Sequence, residues 1–576
     1  MQKEISVAKE LFLGAIAEEN LFPYPTIKKD EAETLQMVLE SIDRFLGEKS
    51  EDFRKYDQDG SQPKEYVDAL KELGLFSLII PEEYGGLGLS AAGYSRVIQQ
   101  TSRYDASTSL TIGAHSSIGM KGIVLYGNQD QKQRYLPRLA TGELVAAFCL
   151  TEPGAGSDAA SIKTNAIKNA DGSWTLNGEK LWITNGPFAG LFTVFARTDS
   201  GDTGKLSAFI VEACWPGVST GPKEDKMGIR ASATSSVFFN NVKIPAENLL
   251  GEEGKGFKIA MQILNNGRTG LGGGCVGGVK ACIKLAIAQA KDRKQFGKSI
   301  AEFQLIQDKI AQMTIDCFTT ESVVNIIGQY IDADNDDYSI EAAISKILAS
   351  EAFWRASNEA LQIAGGNGFM RDFPYERLVR DGRINLIFEG TNEILRLYIG
   401  LSGMKDAGAC LKEMGKSALS AFNDPIKGFG VMSQLAARKF TQLTSLGREK
   451  LEVANCLRAD AEVVERYVVE FGSAVESILK QYGKDIIGRQ LQTKRIADCA
   501  IDLFTALATL SRVHSLVITK GEEATKVERS ILKIFVKQAR RRISQNIRRV
   551  QSNEDTETSD LAKHMLEKGE YYWDVL

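Results

Sequence analysis

An α+β fold, mainly helical and ordered helices, strands, helices, helices, is predicted by three observations on the sequence. Apolar residues recur at helical spacing from about residue 30 to 147. Short alternating runs between turn signals replace them from about 148 to 250, and helical spacing then returns and lasts to the end of the 576 residues. The domains expected are a helical one at 1–147, a β-domain at 148–252, a helical bundle at 253–405, a linker at 406–430 and an extra helical domain at 431–576. With 43% hydrophobic residues the chain has apolar surface for several cores.

In DEAETLQMVLESIDRFLGE, Leu35, Val38, Leu39, Ile42 and Leu46 lie three or four apart and share one helix face. Strands begin at AAFCLTEPGAGSD, where a short apolar run ends in Pro and Gly. SWTLNG, KLWITNG, LFTVFART, SAFIVEA and SVFFNNVKIP follow closely, with turn signals such as Asp171-Gly172 and Asn177-Gly178, so a small, mostly antiparallel sheet is expected. GFKIAMQILNNGR reopens the helical pattern, and the Gly/Pro-marked SAFNDPIKGFG precedes the last region. There Ile531, Phe535, Ala539, Ile543 and Ile547 recur four apart beside Lys533, Lys537, Arg540, Arg541, Arg542, Arg548 and Arg549. Such a helix either docks peripherally on an anionic membrane or buries its apolar face in its own domain; Lys427, Arg438, Lys439 and Arg448 offer an alternative membrane contact.

A net charge of -4 supplies no basic field for nucleic acid. Three histidines and eight scattered cysteines without a CxxC pair argue against a metal site or a disulfide framework, and for a reducing compartment. The N-terminus MQKEISVAKELFLGAIAEEN mixes acidic and basic residues, unlike a signal or transit peptide. No apolar run reaches the roughly 18 residues of a spanning helix. The expectation is a cytoplasmic bacterial protein, peripheral at the inner membrane at most, or a mitochondrial one in a eukaryote.

Gly154-Ala155-Gly156-Ser157-Asp158-Ala159 matches GxGxxA, but a dinucleotide site needs that loop to open a helix, and the residues after it read as hairpins. Its amides and hydroxyl could hold a phosphate or a ring edge, and a tight turn capping a strand fits the same residues. LGGGCVGGVK at 271–280 lacks the ending of a phosphate loop and suits close helix packing. QIAGGNGF at 362–369 reads as a helix C-cap or as a phosphate site served by Gln362 and backbone amides. Trp182 and Thr184 alternate with Leu181 and Ile183 and share a strand face, which suits a flat heteroaromatic cofactor or core packing equally. In IFEGTNEIL, Glu389 stands between Phe388 and Gly390 ahead of a helix whose dipole it would favour. A capping box is absent there, because Ile394 lies three after Thr391.

In this order, FCLTEPGAGSD (148–158), LWITNGPFA (181–189), RKQFGKSIAEFQ (293–304), QIAGGNGF (362–369) and IFEGTNEILR (387–396) resemble the successive motifs of the acyl-CoA dehydrogenases. LFPYP, GAHSSIGMKG, ILNNGR, SIEAAISKI and a helical extension after residue 403 resemble most the very-long-chain branch and its relative that assists respiratory complex I assembly. The resemblance implies an acyl-CoA dehydrogenase-like fold: an N-terminal helical domain, a middle β-domain, a C-terminal four-helix bundle and an extra helical domain. It implies FAD-dependent conversion of long-chain acyl-CoA to trans-2-enoyl-CoA in fatty acid β-oxidation, with electrons passed to electron-transferring flavoprotein by at least a homodimer.

By the same resemblance Glu389 is the catalytic base. Phe388 and the acyl chain keep water from it, Gly390 lets substrate approach, and the Glu389 N–H with a flavin ribityl hydroxyl holds the enolate oxygen. Flavin contacts fall to Phe148, Leu150, Thr151, Gly156 and Ser157, with Trp182 flanking the ring and Thr184 near its reactive edge. Arg293, Gln295, Phe296, Gln304, Gln362 and Gly366 would meet the adenosine diphosphate half of an FAD held mainly by the neighbouring subunit, and Thr391 and Glu393 its adenine side. Substrate contacts fall to Ser157, Leu264, Asn265 and Arg268, while Gly119 and Gly122 would deepen the acyl pocket unless they serve helix packing. Some relatives take their base from an earlier helix, at the position of Gly267, which leaves Glu389 without a competitor. Acyl-CoA oxidases share these motifs, and the complex I relative raises a scaffold that keeps the fold without turnover.

Overall fold

The structure is a computed structural model describing residues 6–198, 205–335, 337–423 and 450–575. These form two compact units, one from Tyr24 to Ile394 and the other joining the residues through Pro23 to those from Leu395 onward. The first helix, α1 (Val7–Phe12), thus packs with the C-terminal helices, Phe12 lying 5.1 Å from Phe471, and not with the helices that follow it, as the 1–147 boundary has it. Six residues cannot bury Val7, Ala8, Leu11 and Phe12 alone, and helical spacing marks a face without naming its partner.

The larger unit opens with α2 (Lys29–Gly47), α3 (Ser50–Asp59), α4 (Lys64–Glu72), α5 (Ala91–Ser102), α6 (Ala106–Gly113), α7 (Lys121–Tyr126) and α8 (Gln129–Ala140). Leu35, Ile42 and Leu46 are buried along one face of α2, as their spacing requires. Side-chain oxygens mark the helix starts: Ser90 accepts from Gly93 N at 3.0 Å, Asp105 from Thr108 N at 2.7 Å, and Asn128 forms a capping box with Gln131. Between α6 and α7 a π-helical turn (Ala114–Gly119) carries the buried His115. Ala146 N–H donates to its Nδ1 at 3.0 Å, so Nε2 donates to Phe76 O at 3.1 Å. Burial lowers this ring's pKa to about 4, and a neutral imidazole ties the helical layer to the first strand.

The sheet comprises β1 (Ala146–Cys149), β2 (Asn165–Lys168), β3 (Trp174–Thr184), β4 (Leu191–Arg197), β5 (Leu206–Glu212), β6 (Val218–Thr220), β7 (Thr234–Ile244) and β8 (Leu249–Leu250). Its order is β6-β7-β3-β2-β4-β5-β8, with β1 paired to β4. Pairing is antiparallel except between β1 and β4 and at the one Asn165–Arg197 pair of β2 with β4. Strands β4 and β5 are buried on both faces, so they read as continuous apolar runs rather than alternation.

The bundle follows: α9 (Gly256–Asp292), a hairpin of β9 (Lys294–Gln295) and β10 (Lys298–Ser299), α10 (Gln304–Asp332), α11 (Ser339–Ala364), α12 (Gly366–Phe369), α13 (Tyr375–Arg383) and α14 (Asn392–Asn423). A Cβ on Gly273 would lie 2.5 Å from Ser95 Oγ and one on Gly278 2.6 Å from Phe353, so 271–280 packs α9 tightly against α5 and α11.

The second unit holds α15 (Arg458–Tyr482), α16 (Gln490–Lys520), α17 (Lys526–Gln551) and α18 (Asp555–Lys568). Ile531, Phe535, Ala539 and Ile543 of α17 are buried, so the amphipathic stripe is spent inside its own unit. Arg542 grips Asp502, Nη2 to Oδ1 at 2.6 Å, while Lys533, Lys537, Arg540 and Arg541 face solvent. Lys427, Arg438, Lys439 and Arg448 lie outside the described residues. By length and composition alone α9 and α16 would be long and apolar enough to cross a membrane, but half or more of the apolar window of each is buried inside the structure.

Candidate active site

Glu389 sits where the chain reverses between two helices. After α13 a single 3₁₀ turn (Ile384–Leu386) spends the amides of Ile387 and Phe388 on Ile384 O, at 2.8 and 3.1 Å. Glu389 and Gly390 then take φ of 59° and 93°, and Thr391 Oγ1 accepts from Ile394 N at 3.3 Å to start α14. Left-handed backbone costs Gly390 nothing and Glu389 about a kcal/mol or more, a strain that persists only where neighbours impose it. The neighbour here is Lys346, buried in α11, whose Nζ donates to Gly390 O at 2.7 Å and to Asn392 Oδ1 at 2.8 Å. Asn392 Nδ2 in turn donates to Ser350 Oγ at 3.1 Å, and Glu393 is exposed in the first turn of α14.

The carboxylate faces a narrow cavity walled by α5, α6 and α9, in which Gly113, Gly267, Gly270 and Gly274 leave the room and Ile98, Leu110, Leu271 and Phe388 supply apolar surface. Glu389 Oε2 is shut off from solvent and has no hydrogen-bond partner, and the residue's backbone N–H carries no bond among the described residues. Arg268 donates from Nη1 to Asn265 Oδ1 at 2.6 Å and from Nη2 to Glu389 O at 3.4 Å. Burial raises the Glu389 pKa to about 7, against the opposing charges of Arg268 and Lys346. A Cβ at Gly267 would lie 3.7 Å from Oε2 and 2.8 Å from Ile118 Cγ2, so a side chain there would point at the same carboxylate.

Thr184 lines the same cavity. Two residues before it, Trp182 has φ 58° and is 63% exposed, because a bulge between Lys180 and Ile183 breaks the plain alternation. Trp182 is exposed, Ile183 buried and Thr184 half-buried, across a register shift that the sequence pattern lacked. The fully buried Lys180 Nζ donates to Leu150 O (3.2 Å), Glu152 Oε1 (2.7 Å) and Phe195 O (2.8 Å), and Leu181 N donates to Thr151 O (2.9 Å). These bonds fix the 150–157 loop beside Trp182. Open space stands where Gly154 and Gly156 would carry a Cβ, and Ser157 is exposed. Leu150 is buried and Phe148 packs on Phe195, so any ligand contact at Leu150 is made by its backbone. A ring ledge, an open glycine loop and a hydroxyl beside the carboxylate fit a flavin.

Arg293, Gln295, Phe296, Gln304, Gln362 and Gly366 form a separate, exposed set that does not line the Glu389 cavity. Phe296 is 94% exposed at the tip of the β9–β10 hairpin, and the cluster holding Ile300, Ile306, Leu361 and Ile363 joins the hairpin to the end of α11. Gly119 and Gly122 do not line the cavity either. A Cβ on Gly119 would lie 2.8 Å from the Ala146 carbonyl and one on Gly122 3.0 Å from Ile263 and Leu250, so both serve packing, whereas Gly113, Gly267, Gly270 and Gly274 are among the small residues that shape the cavity. Leu264 packs into the adjoining core, and Asn265 does not line the cavity but accepts from Arg268 Nη1. Sequence reasoning missed Lys346 and Asn392, although a lysine inside the apolar SIEAAISKI was a visible signal.

A carboxylate with a shielded, unpaired oxygen at a mostly apolar cavity, beside a ledge for a flat ring, suits the class of flavin-dependent dehydrogenases that act on acyl thioesters. The chain belongs to the acyl-CoA dehydrogenase family: that family's N-terminal domain matches residues 32–143, its middle domain 147–242 and its C-terminal domain 254–403. The ACAD9/ACADV C-terminal domain matches residues 455–571. The chain is 40% identical to the very long-chain specific acyl-CoA dehydrogenase, mitochondrial, of Bos taurus, over 98% of this chain and 88% of that protein. Its fold matches an acyl-CoA dehydrogenase of Bacillus anthracis solved with FAD, at TM-score 0.79 and 33% identity over 94% of this chain and 91% of the other. A chain in the structure described as the electron transferring flavoprotein of Acidaminococcus fermentans matches at TM-score 0.62 and 36% identity, over 66% and 98%. The protein is an FAD-dependent acyl-CoA dehydrogenase of fatty acid oxidation, most similar to the very-long-chain branch.

Proposed function

We propose that the enzyme dehydrogenates long-chain acyl-CoA to trans-2-enoyl-CoA with Glu389 as the base, and that an electron-transferring flavoprotein takes the electrons. The observation that carries this is the Glu389 carboxylate, with Oε2 unpaired and a pKa raised to about 7, in the wall of a mostly apolar cavity. A base with pKa close to ambient pH is ionised often enough to act and basic enough to take a weakly acidic proton. With the thioester carbonyl held by the Glu389 N–H, the carboxylate removes the α-proton and Phe388 keeps water away. FAD bound beside Trp182 supplies the hydride acceptor for the β-carbon.

Phe148, Leu150, Thr151, Gly156, Ser157, Trp182 and Thr184 would hold its flavin half. The exposed set around Phe296, with Thr391 and Glu393, would serve the nucleotide half across a homodimer. Trp182→Ala is expected to weaken FAD retention threefold to tenfold, about the worth of one aromatic pair, read from the flavin-to-protein absorbance ratio after gel filtration. Exposed Lys533, Lys537, Arg540 and Arg541 support an electrostatic membrane contact only. In a bacterium the site of action is the cytoplasm and in a eukaryote the mitochondrion, as the name of the bovine relative has it.

The function is tested by anaerobic bleaching of the flavin with acyl-CoA from short to very long. Bleaching that peaks at long chains supports the proposal; FAD retained but bleached by none of them supports a scaffold instead. Oxygen consumption with peroxide release on turnover would point to an oxidase.

A further inference from the structure

A second chamber adjoins the cavity at Glu389. It is larger, about 330 Å³ against about 110 Å³, and its walls include Lys121, Gln262, Asn266, Thr269, Asp332 and Tyr338. Among the residues lining them, Tyr94 and Ser117 belong to both spaces. Tyr94 is only 5% exposed, and its ring stands between α9 and the end of α6: a Cβ on Gly270 would lie 3.0 Å from its Cε1, and one on Gly113 3.8 Å from its hydroxyl. Those two glycines make room for the ring. Its hydroxyl is buried beside Ser117, and the close approach of α9 and α6 holds the ring in place.

The two sides of the ring differ in character. On the Glu389 side glycine, alanine, serine and apolar side chains predominate, with Thr184, Asp381 and Asn385 the other polar groups in the wall. Beyond Tyr94 the walls hold more polar groups, with Asn266 Nδ2 donating to the Tyr338 hydroxyl at 2.7 Å and Asp332 accepting from the first amides of α5. An acyl chain that passed Tyr94 would meet a mixed wall, in which Ile79, Leu89, Leu125 and Ile331 alternate with charged and amide groups.

On the reading of this cavity as the acyl site, we propose that Tyr94 is a specificity-determining residue. Its ring, wedged between α9 and the end of α6, closes the acyl cavity off from the second chamber and fixes the chain length beyond which added carbons gain no affinity.

The test uses the full-length, FAD-loaded Glu389→Gln protein, so that saturated acyl-CoAs bind without turnover, and measures Kd by titration calorimetry along a chain-length series. Each methylene buried is expected to tighten binding about fourfold, about 0.8 kcal/mol, up to a break length after which Kd is flat. Tyr94→Ala or Tyr94→Leu moves the break to longer chains, and Tyr94→Phe, which keeps the ring, leaves it in place. Leu125→Trp fills the second chamber from its outer side and leaves the break unchanged while Tyr94 is present. An unmoved break in an FAD-loaded Tyr94→Ala or Tyr94→Leu protein overturns the proposal, as does a shortened break in Leu125→Trp. Failure of the functional reading looks different: Kd is then independent of chain length in every variant, and no acyl-CoA bleaches the wild-type flavin.

Discussion

Replacing Glu389 with Gln is expected to slow acyl-CoA-dependent flavin reduction by about 10³-fold while FAD stays bound, because a positioned base contributes roughly 10²–10⁴-fold. The amide keeps the shape and the left-handed backbone but cannot take a proton. In the wild type the rate should rise with pH through about 7, since only the ionised carboxylate accepts the α-proton. That inflection should vanish from the residual rate of the variant. Stability moves the other way. The folded-state pKa near 7 lies above the ordinary glutamate value of about 4.3, so ionisation opposes folding, with no penalty below about pH 4 and the full penalty above 7. At pH 8 Glu389→Gln should therefore melt no lower than wild type. Stopped-flow reduction across pH and thermal melting at pH 8 check both; near-normal reduction refutes the assignment of the base.

Much of this arrangement was legible because its causes are local. The spacing of Leu35, Ile42 and Leu46 requires one buried face, and one is found. Likewise the hairpins after Gly156 require a turn there rather than a dinucleotide helix, and β2 and β3 pair antiparallel. Glu389 stood out because a carboxylate next to glycine, amid family motifs, has few structural uses. What stayed hidden depends on which surfaces meet. Gly119 and Gly122 look like Gly113 and Gly270 in sequence, yet the first pair meets backbone and core while the second pair opens a cavity. The bulge at Trp182 inserts a residue into a strand whose alternation looked regular, and α1 joins helices more than 400 residues distant in the chain. Lys346 escaped notice for a related reason: a lysine on an apolar helix reads as a surface charge until the 340–347 stretch of that helix is seen to be buried throughout.

Lys346→Met is expected to lower the reduction rate by about 10²-fold, the usual cost of a misplacement near 1 Å at a reacting group. The buried ammonium is what holds the turn: it binds Gly390 O at 2.7 Å, immediately after the strained Glu389, and Asn392 Oδ1 at 2.8 Å, at the start of α14. Methionine fills the volume but leaves the Gly390 carbonyl without its donor and removes one of the two donors to Asn392 Oδ1, so the left-handed backbone loses a contact that imposes it. A second consequence separates this from simple disruption. Lys346 is one of two cations that hold the Glu389 pKa down, and its own pKa near 8 keeps it mostly charged at neutral pH. Removing the charge should move the pH inflection of flavin reduction upward, so that part of the lost rate returns at alkaline pH. A merely loosened fold would lower the rate equally at all pH values. An FAD-loaded Lys346→Met protein with the wild-type inflection would show that Lys346 supports the fold without tuning the base.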